Sequence, residues 1–150
     1  MTRVFKWLFR LTTATFILIF ALGALVYYFA SRSLPEYDKE LQTGYVSAPV
    51  EIVRNNANVP HIFGETDPDV FFALGYAHAQ DRLWQMTTMR RTAQGRLSEV
   101  FGAQTLDIDK LLRRLGIYTL AVSSVESLSE RSRVLMTAYA NGVNARITEV

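Results

Sequence analysis

The sequence predicts an α+β protein: a membrane helix at the amino terminus, then a β-hairpin, then packing helices. Three observations predict this. Residues 11–30 form a charge-free apolar run. Two short β-branched segments, VEIVRN and VPHIFG, flank the turn-forming residues NNAN. Beyond Thr66, apolar residues recur at helical spacing between residues suited to starting and stopping helices.

The apolar run LTTATFILIFALGALVYYFA holds 20 residues. As a helix rising about 1.5 Å per residue it spans roughly 30 Å, the thickness of a bilayer's hydrocarbon core. Arg3, Lys6 and Arg10 precede it, which predicts a cytoplasmic amino terminus, with Tyr27 and Tyr28 near the far interface and the bulk of the chain exported. A cleavable signal peptide is the rival reading, because Ala21-Leu22-Gly23 offers a small-x-small step. Cutting there leaves the apolar stub LVYYFA, and the step before Ser31 has bulky Tyr28 where a small residue is needed. An uncleaved anchor is therefore the expectation. The predicted order is a basic cytoplasmic terminus (1–10), the span (11–30), a polar tether broken by Pro35 and Gly44 (31–48), and a folded part (49–150).

Composition bounds the rest. Of 150 residues, 49% are hydrophobic, which excludes general disorder and leaves roughly 100–120 residues for one soluble core. Sixteen basic and 14 acidic residues give a net charge of +2, and three of the basic ones precede the span. The remainder is nearly balanced, so nucleic acid is not an expected partner. The absence of cysteine excludes disulfides and thiolate metal sites.

In the folded part, residues 50–55 alternate as a strand. Asn tolerates the left-handed conformation of a tight turn, so Asn55 to Asn58 are expected to connect it to a second strand. Pro60 lacks an amide hydrogen, which places that strand at an edge or turns its Pro60 position to the unpaired side. Thr66 or Asp67 then caps a helix that has Pro68 in its first turn and Asp69 beside its positive end. This helix is expected to run through Val70, Leu74, Ala77, Trp84 and Met89 to a stop at Gly95. Gly75, Ala77 and Ala79 keep its middle thin, permitting close approach by another element. RLSEVFG adds a helical turn ended by Gly102. Asp107 or Asp109 is expected to cap a short helix with the apolar stripe Ile108, Leu111, Leu112 and Leu115. Ser127 and Glu130 have the spacing of a capping box ahead of a last helix carrying Val134, Leu135, Ala138, Tyr139, Val143 and Ile147.

The segment GYAHAQDRLWQMTTMRR sets Gln80, Asp81, Arg82, Gln85 and Arg90 among residues suited to burial. Each buried group left unpartnered costs roughly 1–3 kcal/mol, so partners are required. Asp81 is within reach of His78 and Gln85 on its own helix, whereas Arg82 and Arg90 need carboxylates or carbonyls from elsewhere. His61 and His78 alone fall short of a metal site, which takes three or four ligands. No G-x-S-x-G elbow, Walker loop or dinucleotide glycine pattern occurs. No catalytic, cofactor-binding or metal-binding residue is assigned within the chain.

Four segments taken together carry a resemblance: VEIVRNNANVPHI (50–62), GYAHAQDRLWQMTTMRRTAQGRLSEVFG (75–102), DKLLRRLGI (109–117) and YANGVNA (139–145). They resemble the start of the α chain in the penicillin acylase (penicillin amidase) family. Asn55 stands where that family has an acidic residue, and Asn58 where it has glycine. The resemblance implies an N-terminal-nucleophile hydrolase with an αββα core, incomplete in this chain, matured by self-cleavage of a precursor into α and β chains. It implies a nucleophilic serine at the start of the β chain with its own α-amine as base, and hydrolysis of the amide bond of acylated small molecules such as β-lactams or acyl-homoserine lactones. Neither that serine nor the family's calcium ligands fall on residues 1–150, so the chain is expected to be an amino-terminal piece, inactive alone, whose partners are the rest of its precursor, the substrate and the membrane. A membrane-anchored helical interaction protein without chemistry is the alternative.

Overall fold

The computed structural model describes residues 2–32 and 34–149. It divides into two compact units, residues 1–40 and 41–150.

The first unit is built on α1, Arg3–Arg32, a 30-residue helix longer at both ends than the apolar run it contains. None of its described residues is buried, and it is long and apolar enough to cross a membrane. Its threonines suit that setting. The hydroxyls of Thr12 and Thr13 donate to the Phe9 carbonyl at 2.9 and 2.8 Å, and that of Thr15 donates to the Leu11 carbonyl at 2.9 Å. Each polar group is thereby satisfied within the helix, as an apolar solvent demands. At the far end the Arg32 guanidinium lies 5.2 Å from the centre of the Tyr28 ring.

The second unit opens with the expected hairpin. Strand β1 (Glu51–Arg54) runs antiparallel to β2 (Pro60–Phe63), pairing Ile52 with Ile62 and Arg54 with Pro60. The Asn55 amide bonds the Val59 carbonyl at 3.2 Å, so the adjoining pair Arg54–Pro60 falls at a position without ladder bonds. Pro60 therefore costs the sheet nothing. Asn58 takes φ 59°, the left-handed conformation foreseen for it. Asn55 caps the turn, its side-chain oxygen accepting from the amides of Ala57 and Val59 at 3.0 Å each. An amide oxygen performs this role as a carboxylate would, so the missing charge leaves the turn intact.

Helix α2 (Asp67–Ala93) begins at an N-cap Thr66 whose hydroxyl accepts from the Asp69 amide at 3.3 Å. It is not the unbroken rod expected: Arg82 leaves helical geometry at φ −136°, ψ 24°, immediately after Asp81. Gly95, at φ 63°, provides the stop. Helix α3 (Ser98–Phe101) and a 3₁₀ turn (Ala103–Thr105) lead to α4 (Leu106–Leu115), which ends at a left-handed Gly116. Neither Asp107 nor Asp109 caps α4, because the helix starts before both of them. Asp109, buried, instead reaches back to the preceding helix and accepts from the amides of Leu97 and Ser98 at 2.8 Å each. A carboxylate inside one helix thus caps another.

Helix α5 (Ile117–Ser124), not foreseen as a separate element, and the 3₁₀ turn Val125–Ser127 precede α6 (Glu130–Thr148). The N-cap of α6 is Ser129, accepting from the Ser132 amide at 3.2 Å, rather than Ser127. Ser127 lies inside the 3₁₀ turn, where its hydroxyl donates to the Ser124 carbonyl.

The core is the seam between α2 and α6. Phe72, Ala73, Tyr76, Ala77 and Ala79 are buried there, and Ala77 is 0% exposed. A Cβ on Gly75 would overlap the Tyr139 carbonyl oxygen, and one on Gly142 the Phe72 carbonyl oxygen. The predicted thinness of α2 is therefore used in full: the two backbones touch where glycine faces each of them. Elsewhere burial is sparse. Trp84 is 63% exposed, with only an edge contact to Phe101, and Leu111 and Leu115 of the α4 stripe are 55% and 61% exposed.

Candidate functional site

Among the contacts that polar groups of α2 make to the rest of the unit, three tie it to the hairpin, to α6 and to the segment before β1. The first is at the hairpin. Arg54, the last residue of β1, spreads its guanidinium over four acceptors. Nη1 donates to the Asn58 carbonyl and Asp81 Oδ2 at 3.0 Å each, and Nη2 donates to Asp81 Oδ1 at 3.0 Å and Gln80 Oε1 at 3.1 Å. The side chains are 10% and 25% exposed for Arg54 and Asp81. A planar fork on a carboxylate fixes angle as well as distance, so this contact sets how the hairpin leans on α2.

The second contact involves His78. Asp81 does not turn back along its helix to His78 or Gln85 as expected. The planar guanidinium of Arg54 meets both carboxylate oxygens at once, a geometry no single donor along the same helix offers. His78 Nδ1 lies 3.0 Å from the Tyr139 hydroxyl on α6, with the two rings edge to face at 5.8 Å. Burial pushes the Tyr139 phenol above its ordinary 10.0. Two residues earlier, the Tyr76 hydroxyl donates to Glu149 Oε2 at 2.9 Å, and Arg146 Nη1 donates to the same oxygen at 3.0 Å.

The third contact fastens the start of the unit. Asp69, 2% exposed, accepts from the Ser47 amide at 2.8 Å, the Ser47 hydroxyl at 2.7 Å and the Thr66 hydroxyl at 2.7 Å. The Ser47 hydroxyl and amide hold its carboxyl below the ordinary 3.8; burial opposes them and is outweighed. Sequence reasoning credited Asp69 only with a helix-end charge and missed Ser47, which shares no local pattern with it.

The remaining expectations for α2 are corrected by exposure. Arg82, Gln85 and Arg90 face solvent in this chain and are not part of a buried network. Arg91 and Arg96 converge on Glu99 at 2.5 and 2.6 Å, and Arg113 donates to the Gly95 carbonyl at 2.8 Å. These arginines answer internal acceptors. The hydrogen bond from Arg96 holds Glu99 below its usual range, against burial. Asp109 is pushed up by burial, but the bonds from Ser98 and Leu97 prevail and hold its carboxyl low.

Each of the two histidines has a neighbour of its own. His61 lies on β2 with Nε2 3.4 Å from Asn55 Nδ2, and His78 is engaged by Tyr139. Among the described residues no three of His, Cys, Asp and Glu gather to hold a metal ion. What the geometry does is brace a hairpin and two crossing helices.

Residues 49–150 match the family model described as penicillin amidase, over the same stretch that folds from β1 to the end of α6. The chain belongs to the penicillin amidase family. It is thereby a member of the N-terminal-nucleophile hydrolase superfamily. Penicillin acylase 2 proenzyme of Pseudomonas sp. (strain SE83) is 40% identical over 113 residues, 75% of this chain and 15% of that protein. The acyl-homoserine lactone acylase QuiP of Pseudomonas syringae pv. tomato is 45% identical over 96 residues, 64% of this chain and 12% of that one. Among solved structures, the thermostable penicillin G acylase from Alcaligenes faecalis matches with a TM-score of 0.62 and 31% identity, over 68% of this chain and 54% of that chain. This penicillin amidase chain therefore spans only about a seventh of the length of the curated relatives it matches.

Proposed function

We propose that the chain supplies the leading part of a penicillin-acylase-like amidohydrolase, made as a precursor and held in the membrane by α1 with its bulk exported. The reaction is hydrolysis of the amide bond of acylated small molecules, β-lactams and acyl-homoserine lactones among them. The observation that carries this reading is the family match over residues 49–150, supported by relatives named for both substrate classes.

In this reading the hairpin and helices are one portion of an αββα core, and the nucleophilic serine, its α-amine base and the oxyanion donors come from other parts of the precursor. Any calcium is bound there as well. The braces at Arg54, His78 and Asp69 hold the scaffold against which those parts fold, and the 150 residues alone hydrolyse nothing. The bare α4 stripe of Ile108, Leu111 and Leu115 favours a second reading, a membrane-anchored interaction protein without chemistry.

One experiment separates the two. The genomic reading frame that contains this chain is expressed whole, and the 150 residues are expressed alone, with an acyl-anilide as chromogenic substrate. The expected result is self-cleavage to a new amino-terminal serine and hydrolysis by the whole product, with none by the 150 residues. Hydrolysis by the 150 residues, or a whole product that neither cleaves itself nor turns over substrate, overturns the proposal.

A further inference from the structure

We infer that the first two turns of α1 form a binding face for anionic phospholipid headgroups, an inference that rests on the reading of α1 as a membrane helix.

Helix α1 has 30 residues and is therefore about 45 Å long, whereas the hydrocarbon core it crosses is roughly 30 Å thick. The excess has to lie outside the hydrocarbon. If Leu11–Ala30 fills the core, most of that excess is the segment before Leu11, which stands at headgroup depth. Its chemistry fits that depth. Arg3, Lys6 and Arg10 are three and four residues apart, which puts the three cations on one face of the helix. The chain contains no acidic residue before Glu36, so nothing on α1 neutralises that face. Among the described residues none of the three cations has an ion-pair partner.

Beside the cations stands an apolar surface. Trp7 is 69% exposed, and Arg3, Val4, Trp7 and Leu8 flank a shallow groove along the helix. An indole at the water–lipid boundary with cations one turn away on either side matches a lipid of one kind: acyl chain against the apolar flank, phosphate against the guanidinium and ammonium groups. Zwitterionic lipids offer the same chains with their phosphate already paired. Charge complementarity therefore favours an anionic headgroup such as phosphatidylglycerol.

Trp7 is also the reporter. The sequence has two tryptophans, and Trp84 belongs to the other unit, so Trp84→Phe leaves Trp7 as the sole emitter. The 150-residue chain carrying W84F is reconstituted into phosphatidylcholine bilayers that hold a fixed fraction of either brominated phosphatidylglycerol or brominated phosphatidylcholine, and quenching of Trp7 is compared. At about 1 kcal/mol per basic residue near an anionic leaflet, one engaged cation corresponds to roughly fivefold, so enrichment of phosphatidylglycerol around Trp7 should be roughly fivefold or more. It should vanish in the triple variant Arg3→Gln, Lys6→Gln, Arg10→Gln. Equal quenching by the two lipids, or a preference that survives in the triple variant, overturns the inference. So does erasure of the preference by inorganic phosphate but not by sodium chloride of the same ionic strength, which would mark a site for free anions.

Alkaline carbonate extraction of cell membranes reads the underlying assumption separately. A chain that stays in the pellet yet shows no lipid preference refutes the headgroup face alone. A chain washed into the supernatant removes the membrane reading and this inference together.

Discussion

Arg54 and Asp81 meet as a two-pronged ion pair, each guanidinium Nη 3.0 Å from one carboxylate oxygen, and the contact ties the end of β1 to the middle of α2. The pair is neither deeply buried nor free in solvent, with Arg54 at 10% and Asp81 at 25% exposure. Arg54→Ala is expected to destabilise the chain by about 1–2 kcal/mol, above the median for surface pairs because the geometry is bidentate. Arg54→Lys should recover less than half of that, since a single ammonium cannot span both oxygens. A double-mutant cycle with Asp81→Asn, read by urea denaturation, should give a coupling near 1 kcal/mol. A coupling of zero would show that the hairpin is held by other means.

The crossing of α2 and α6 is the least forgiving place in the unit. A Cβ on Gly75 or on Gly142 would meet backbone of the opposite helix, which cannot swing aside as a side chain can. Gly75→Ala and Gly142→Ala are each expected to cost about 3 kcal/mol or more, even though alanine is the better helix former by about 1 kcal/mol. Gly44→Ala, at a glycine with nothing within 4 Å, is the control and should leave the melting transition in place. Circular dichroism melts of the three variants decide the matter. Near-normal cooperativity in G75A or G142A would mean that the helices do not cross this closely.

Parts of this architecture were legible in the sequence because they are local. The hairpin, the left-handed Asn58, the Thr66 cap and the Gly95 stop all depend on residues within a few positions of one another. The thinness of α2 was legible too, although the backbone that approaches Gly75, at Tyr139, stands in a helix 64 residues away. What escaped is non-local. Asp109 resembles a cap for its own helix, and only the fold of the α3–α4 connection carries it to the amides of Leu97 and Ser98. The same applies to Asp81, whose neighbours along α2 were visible and whose stronger partner, Arg54, lies 27 residues upstream. Arg82, Trp84, Met89 and Arg90 differ from the sequence expectation in another way. These side chains are set at helical spacing among residues suited to burial, yet they are exposed in this chain.

The correction at α6 has a direct test. Ser129 accepts from the Ser132 amide, so Ser129→Ala should cost about 1 kcal/mol by leaving a helix-end amide without its protein acceptor. Ser127→Ala should change stability by a few tenths of a kcal/mol at most, because its hydroxyl only closes a local bond to the Ser124 carbonyl. The order of the two effects, measured as urea midpoints, distinguishes the cap seen in the structure from the capping box read off the sequence. Equal effects, or a larger one at Ser127, would move the start of α6.

Asp69 makes the stability of the unit depend on pH in a definite direction. Its carboxyl is held below 3.8 chiefly by the Ser47 hydroxyl and amide, with Thr66 adding to them and burial opposing. The unfolded chain has no such donors, so between the two pKa values it binds more protons than the folded one, and stability rises with pH across that window. The contribution is fully present above the ordinary carboxyl value and is lost as the pH falls through the folded one. Asp109 and Glu99 are lowered as well and slope the same way. Urea midpoints of the whole chain should therefore hold steady from about pH 7 to 5 and fall steeply below about pH 4. Asp69→Asn keeps the shape and an acceptor oxygen for the Ser47 amide but cannot titrate, so it should lower stability at neutral pH and flatten the acid limb. Ser47→Ala removes one hydroxyl donor and should move the Asp69 carboxyl back toward its ordinary value, shifting the start of the acid limb upward. An acid limb identical in all three proteins would assign the pH dependence to other carboxylates and leave Asp69 without the role its contacts give it.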